Sequence, residues 1–366
     1  MNDGNAILQL LQPLAPDFVP DWAVVLTVAI IGVSIVIAIV GLIALAGTWA
    51  ERKVSAHIQC RYGPMYVGGW HGWAQALADG IKLISKEDMI PIGADRKLFM
   101  LAPSILLGSV FAALCAMPLA PAFYFGYIDL GVFMILAFSS LTTIGVVMAG
   151  WASNSKWSLY GAMREAAQVV AYEIPLGITL LAPLLVVGTF NLVEASNAQA
   201  DYFGMGWLAF KNPFVLVSSV IFFIAVLAET KRAPFDLPEA ESELVAGFLT
   251  EYSGIRWSLF FMEEYAAMFL MSAVTAFFFF GGFESPFSYL ATQAFGEGHW
   301  VYQVVCFLTL VVKGSFGIFM MMWLRWTLPR LRIDQVMTMG YKYLTPLALI
   351  CVLGAGIWEA IKHAVS

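Results

Sequence analysis

The stretch AVVLTVAIIGVSIVIAIVGLIALAGT (residues 23–48) runs for 26 residues without a single charge. A bilayer core about 30 Å thick is crossed by roughly 20 apolar residues in an α-helix, so this stretch is long enough to span it. It is too long, and its leading residues 1–21 too poor in Lys and Arg, for a cleaved signal peptide. Working outward, similar apolar runs lie near 98–120, 129–152, 169–190, 213–230, 257–282, 301–324 and 343–362. The fifth is the shortest and runs into Glu229. The chain as a whole fits: 366 residues, 60% hydrophobic and only 12% charged. Soluble domains are nearer 25% charged, which excludes an ordinary globular protein. The sequence therefore predicts an all-α polytopic membrane helix bundle. About eight transmembrane helices form one integral membrane domain over residues 1–366.

Orientation follows from the basic residues, because short loops rich in Lys and Arg stay on the cytoplasmic side. With eight spans, 16 of the 19 Lys and Arg residues fall on one face, in segments 51–97, 153–168, 231–256 and 325–342. Those four segments are expected in the cytoplasm and both termini on the opposite, periplasmic side. Within the first, Trp70, Trp73, Leu77, Ile81 and Ile84 recur at intervals of three or four, with Asp79, Lys82 and Lys86 on the other face. This pattern predicts an amphipathic helix at the membrane surface.

Net charge is −6, so nothing suggests a nucleic-acid partner. Cys60, Cys115, Cys306 and Cys351 lie far apart, with no CxxC pair, and GxGxxG, Walker and HExxH motifs are absent from the sequence. No metal site and no cofactor bound covalently or by motif is expected on this chain. Any metal centre would belong to a partner.

The few charges inside apolar runs carry the functional interest, since an ionisable group within a span usually faces a partner or a wet cavity. Glu173 precedes Pro175 in the fourth span, Glu229 ends the fifth, Glu263 and Glu264 open the sixth, and Lys313 sits midway along the seventh. Apolar surroundings disfavour the charged form, the condition for proton exchange near neutral pH. Interfacial charges or static ion pairs are the plainer alternative. The third inner segment is denser still: Glu229, Asp236, Glu239, Glu241, Glu243 and Glu251 fall within 23 residues. Close like charges are expected to push one another's pKa values apart and up. A solvated acidic loop is the usual reading of such a run. Pro234, Pro238, Phe235, Leu237, Leu244, Val245 and Phe248 argue instead for acids held in a partly buried cavity.

Five stretches carry a resemblance. ERKVSAHIQCRYGP (51–64), ADGIKLISKE (78–87), REAAQVVAYEIPLG (164–177), LAETKRAPFDLPEAESELVAGFLTEYSG (227–254) and WLRWTLPRLRIDQVM (323–337) closely resemble the quinone-chamber membrane subunit, the H subunit, of respiratory complex I, the proton-pumping NADH:quinone oxidoreductase. The resemblance covers nearly the whole chain. It implies a bacterial cell (inner) membrane protein, not catalytic alone, that forms much of a quinone access chamber. Flavin and iron–sulfur clusters would reside on partner subunits. It also implies other complex I subunits as partners, those of the peripheral quinone site and of the membrane arm, with membrane lipid around the chain. In the family the quinone tail passes between the first span, the surface helix and the sixth span. Carried over, Glu51, Arg52, Arg61, Asp79 and Arg164 should line or shape the chamber, with Arg232 and Asp236 at its inner wall. Glu173, Glu229, Glu239, Glu241, Glu243, Glu251 and Glu264 should form an acidic path coupling quinone reduction to proton pumping. Glu263 stands beside Glu264 where the family often has a single acid, which leaves open which of the pair acts. A quinone, with its apolar tail and two-proton head, does need a greasy tunnel with a few polar anchors. Three rival readings remain at this level: the related membrane component of a hydrogenase or formate-hydrogenlyase complex, a stand-alone cation transporter, and a passive anchor for a peripheral arm.

Overall fold

The computed structural model describes residues 21–125, 128–237, 241–296 and 298–365. These residues form helices joined by turns and loops, with a lone β-bridge between Ala120 and Phe123. Among the described residues, seven helices are long and apolar enough to cross a membrane. Five of them are α1 (Asp21–Ile58), α3 (Arg96–Ala116), α4 (Gly131–Ala152), α5 (Lys156–Val187) and α7 (Gly254–Phe279). The others are α9 (Trp300–Thr327) and a last helix, which runs from Ile333 through a π-turn at Met339–Leu344 into α10 (Thr345–Val365). Between α5 and α7 lies α6 (Pro213–Glu229), apolar but only 17 residues long. Two shorter amphipathic helices, α2 (Gln75–Ser85) and α8 (Pro286–Phe295), sit in the connections.

The helix starts are chemically specified. Asp95 caps α3 by accepting from the amides of Lys97 and Leu98, and Asn212 caps α6 ahead of Pro213 at its first turn. Ser285 and Ser288 form a reciprocal capping box on α8. Helix α5 begins at Lys156, well before the apolar run at 169, because its first turns are amphipathic. Ser158, Gly161, Ala162, Glu165, Gln168, Val169 and Tyr172 recur at helical spacing and are buried, while charge is confined to a few positions. The 153–168 segment is thus mostly helix, where the sequence suggested a connection. Helix α1 likewise continues to Ile58, past the end of its apolar run at 48, which keeps Glu51 and Arg52 in regular helix.

α7 is the central element. Its residues from Met268 to Phe279 are almost all buried, and its neighbours include α1, α3, α6 and α9. The core combines Phe222, Phe277, Phe278, Phe279 and Phe283 with Leu and Ile side chains from the surrounding helices. A second, smaller core joins Phe99, Leu106, Val146, Phe248 and Tyr252. It anchors the acidic segment: Tyr252 stacks on Phe99 at 4.0 Å and donates its hydroxyl to the Phe99 carbonyl. Burial pushes the Tyr252 phenol up, so it stays a neutral donor. Gly161 of α5 lets this segment approach, since a Cβ there would stand 2.8 Å from Gly247 Cα and from Phe248 N. The Ser158 hydroxyl then bonds the Phe248 carbonyl.

Candidate functional site

The first set of charges is built from four segments. α1 carries Glu51 one turn beyond its apolar run, and the turn after α6 supplies Arg232. α7 supplies Glu264 and Tyr265 about three turns from its start, and the last turn of α9 supplies Arg325. Arg232 donates from Nη1 to both oxygens of Glu51, at 3.0 and 2.9 Å, and its Nε lies 2.7 Å from Glu264 Oε1. The guanidinium lies over the Tyr265 ring, 4.9 Å from its centroid. Tyr265 Oη and Arg325 Nη1 also donate to Glu51. Arg232 is only 2% exposed. Burial alone would disfavour its charge, but Glu264 and Glu51 outweigh that and hold its pKa above the ordinary arginine value. Two carboxylates face two guanidinium groups here.

The second set is built one residue away on each element. Lys231 precedes Arg232, Glu263 precedes Glu264, and α5 contributes Glu165. The Lys231 ammonium lies 2.7 Å from Glu165 Oε1 and 3.7 Å from Glu263 Oε2, with the Phe248 ring 5.5 Å away. All three charged residues are buried. Lys231 adopts φ +57°, in the left-handed region. That turn directs two consecutive cations to two different pairs of acids. Glu263 thus faces Lys231, which it shares with Glu165, whereas Glu264 faces Arg232. Glu229, at the end of α6, lies within electrostatic reach of Glu173, Glu263 and Lys231.

The remaining expected residues fall into separate pairs. Arg52 meets Asp79 of α2 at 2.5 Å, Arg330 meets Asp236 at 3.3 Å, and Arg164 meets Glu243 at 2.6 Å. The Glu243 carboxyl is not pushed up by its acidic neighbours. The hydrogen bond from Arg164, then the charge of Arg164, hold it below the usual carboxylate range. Arg61 is exposed, bonds Gln59 on its own turn, and lies outside both buried sets. Glu251 is half-buried in the turn before α7. Glu241 begins a short helix, Glu241–Leu244, whereas Glu239 lies outside the described residues. Among the apolar residues of this segment, Phe235, Leu237, Leu244 and Phe248 are buried, but Val245 is 61% exposed. Lys313 ties α9 to the turn after α7. Its ammonium donates to the carbonyls of Phe280, Gly282 and Glu284 and lies over Trp207.

Glu165, Lys231, Tyr265 and Arg325 join the site without having been expected there from the sequence. For Glu165 a signal existed, since it shares the buried stripe of α5 with Gln168 and Tyr172. For the other three no local pattern marks the partner.

An apolar cavity of about 370 Å³ opens between α1, α7 and α9. Ile39, Leu42, Gly47, Phe269, Phe319 and Met322 help to line it, as do Ala50 and Val54, which bracket Glu51 along α1. The surface helix α2 does not contribute to its wall. The large apolar side chains of α2, Leu77, Ile81 and Ile84, are exposed. Among the described residues no group of His, Cys, Asp and Glu is arranged to hold a metal ion.

Comparison with known proteins gives this geometry its context. Residues 31–355 match the family described as NADH dehydrogenase. The chain is 42% identical to the H subunit of NADH-quinone oxidoreductase from Chlorobium luteolum, over 98% of this chain and 94% of that one. It is 44% identical to the same component from Chlorobaculum parvum, covering 87% and 88% of the two chains. For the counterpart from a Geobacillus species the identity is also 44%, over 90% and 93%. The protein belongs to the NADH dehydrogenase family, among the membrane chains that form the H subunit of NADH-quinone oxidoreductase.

Proposed function

We propose that this chain is the membrane subunit of a proton-translocating NADH:quinone oxidoreductase that admits the quinone tail from the bilayer and relays the redox event through buried acids. The observation that carries the proposal is an apolar cavity whose wall includes Ala50 and Val54, which lie on either side of Glu51 along α1, the helix that brings Glu51 to Arg232. An isoprenoid tail fits greasy walls, and a head that takes two protons needs polar groups at the end of the passage. The first set supplies charge that answers a redox change. Glu165, Glu263, Glu229 and Glu173 continue inward from it along α5, α6 and α7. A change in charge at one end alters protonation along such coupled carboxyls. Arg52, Asp79, Arg164 and Asp236 shape the cytoplasmic rim through their ion pairs. The basic segments favour a cytoplasmic rim and termini in the periplasm of a bacterial inner membrane. Partner subunits bring the flavin and iron–sulfur clusters. α2 lays its exposed apolar face on lipid.

The test is purification of the complex from membranes by a tag on this chain. Co-purified flavin and iron–sulfur subunits, with inhibitor-sensitive NADH:quinone reductase activity, are expected. Nickel in the assembly without quinone reduction would instead indicate a hydrogenase-type partner set.

A further inference from the structure

Lys231 introduces an imbalance. In the first set two guanidinium groups answer two carboxylates, Glu51 and Glu264. In the second, the ion pairs of Glu165 and Glu263 both run to the same ammonium. One cation between two buried carboxyls leaves a negative charge uncompensated if both ionise, and a buried unpaired charge is costly. The set is neutral when one of the two carboxyls is protonated. Three elements face Lys231 with charge: α5 through Glu165, α7 through Glu263 and Glu264, and α6 through Glu229. All three helices also carry the path proposed above.

We propose that Lys231 is a positioning residue that decides which of two buried carboxyls, Glu165 or Glu263, holds a shared proton. In the arrangement seen, the ammonium sits 2.7 Å from Glu165 and 3.7 Å from Glu263. Glu165 is then the carboxylate and Glu263 the acid. Moving the ammonium to Glu263 reverses the assignment. One O–H bond breaks on Glu263 and one forms on Glu165, with no electron transferred and the net charge unchanged. Because Lys231 and Arg232 share a peptide unit, a rotation at that turn displaces both cations together. A charge change felt by Arg232 at Glu51 and Glu264 thereby reaches the proton on the second pair. The backbone at Lys231, held at φ +57°, is the natural place for such a rotation, since a non-glycine residue occupies that region at a cost. This inference rests on reading the acids as a coupling path. What it adds is a specific carrier of the signal.

The test uses the whole complex in native membranes, with assembly followed on native gels. The readouts are protons translocated per NADH oxidised and the infrared carbonyl band of protonated glutamate. Relative to the unmodified complex, Glu263→Gln should remove one carbonyl band. Glu165→Gln should remove it as well, because the ammonium then turns to Glu263 and ionises it. Lys231→Met should protonate both carboxyls, enlarge that band and abolish pumping, and Lys231→Arg should restore pumping. Three results would each overturn the proposal: normal pumping in Lys231→Met, pumping that Arg does not rescue, or a carbonyl band that survives either glutamate substitution. The glutamate variants decide the matter even if Lys231→Met fails to assemble. A complex without NADH-driven quinone reduction would refute the proposed function, whereas the resting infrared assignment would still report on the shared proton.

Discussion

Arg232 grips both oxygens of Glu51, 181 residues earlier in the chain, and with Glu264 it ties the turn after α6 to α1 and α7. Removing one partner of a buried, hydrogen-bonded pair costs about 3–5 kcal/mol, because the other charge is left uncompensated. Arg232→Met should therefore lower the amount of assembled complex and the melting temperature of the solubilised protein. Arg232→Lys should be intermediate, since a single ammonium does not reproduce the fork that reaches Glu51 and Glu264 at once. Thermal unfolding in detergent checks both. Equal stability of the Met and native forms would show that this pair does not hold the helices together.

Lys313 makes a separate prediction. Its three carbonyl partners are the C-cap of α7, Phe280, and Gly282 and Glu284 in the turn that follows, so its ammonium ties α9 to that turn. Charged hydrogen bonds contribute about 1.5–3 kcal/mol each. Lys313→Met should destabilise the protein by about 3 kcal/mol, while the assembled fraction keeps its ratio of protons to electrons. A pumping defect without loss of stability would show that the residue carries protons after all.

The cavity between α1, α7 and α9 can be filled from its wall. Ser315 lines it, and Ser315→Phe places a ring in the space assigned to the tail. The KM for a long-tailed quinone should rise roughly tenfold, equivalent to about 1.4 kcal/mol. A short-tailed analogue should be reduced as before. Steady-state kinetics with the two substrates distinguishes them, and equal effects on both would place the tail elsewhere.

Arg164 and Glu243 provide a pH test on the exposed rim. The folded-state pKa of Glu243 lies below its ordinary value of 4.5. The stability it contributes is therefore complete above that value and is lost as pH falls through the lower folded pKa. In the neutral range Glu243 should not titrate. Because Glu243 is largely exposed, Glu243→Gln should cost under about 1 kcal/mol at neutral pH. Unfolding midpoints of native and Gln forms should converge in acid. A growing difference there would contradict the sign.

The fold was legible wherever apolar residues are consecutive. Residues 23–48 state their helix outright. The start of α5 was not, because Lys156, Arg164 and Glu165 dilute the hydropathy of a segment whose buried stripe is nonetheless continuous from Ser158 to Tyr172. Within the site, Glu51, Arg232 and Glu264 were reached through family resemblance, and the structure brings them into one set. Arg164 and Glu165 show the limit of reading charge along a chain. One step on an α-helix turns the side chain by about 100°. Arg164 accordingly meets an exposed carboxylate, while Glu165 points into the bundle toward Lys231. Tyr265 and Arg325 reach Glu51 from 214 and 274 residues away, separations at which no local periodicity operates.

Those separations impose an order on biosynthesis. Glu51 leaves the ribosome within α1, whereas Arg325 follows 274 residues later. At roughly 5–20 residues per second, the carboxylate waits tens of seconds for its full complement of cations. During that interval it must stay at the bilayer surface or carry a proton. The nascent α1 is thus a substrate for whatever insertion machinery shelters polar groups, and the bundle closes around Glu51 only when the end of α9 arrives.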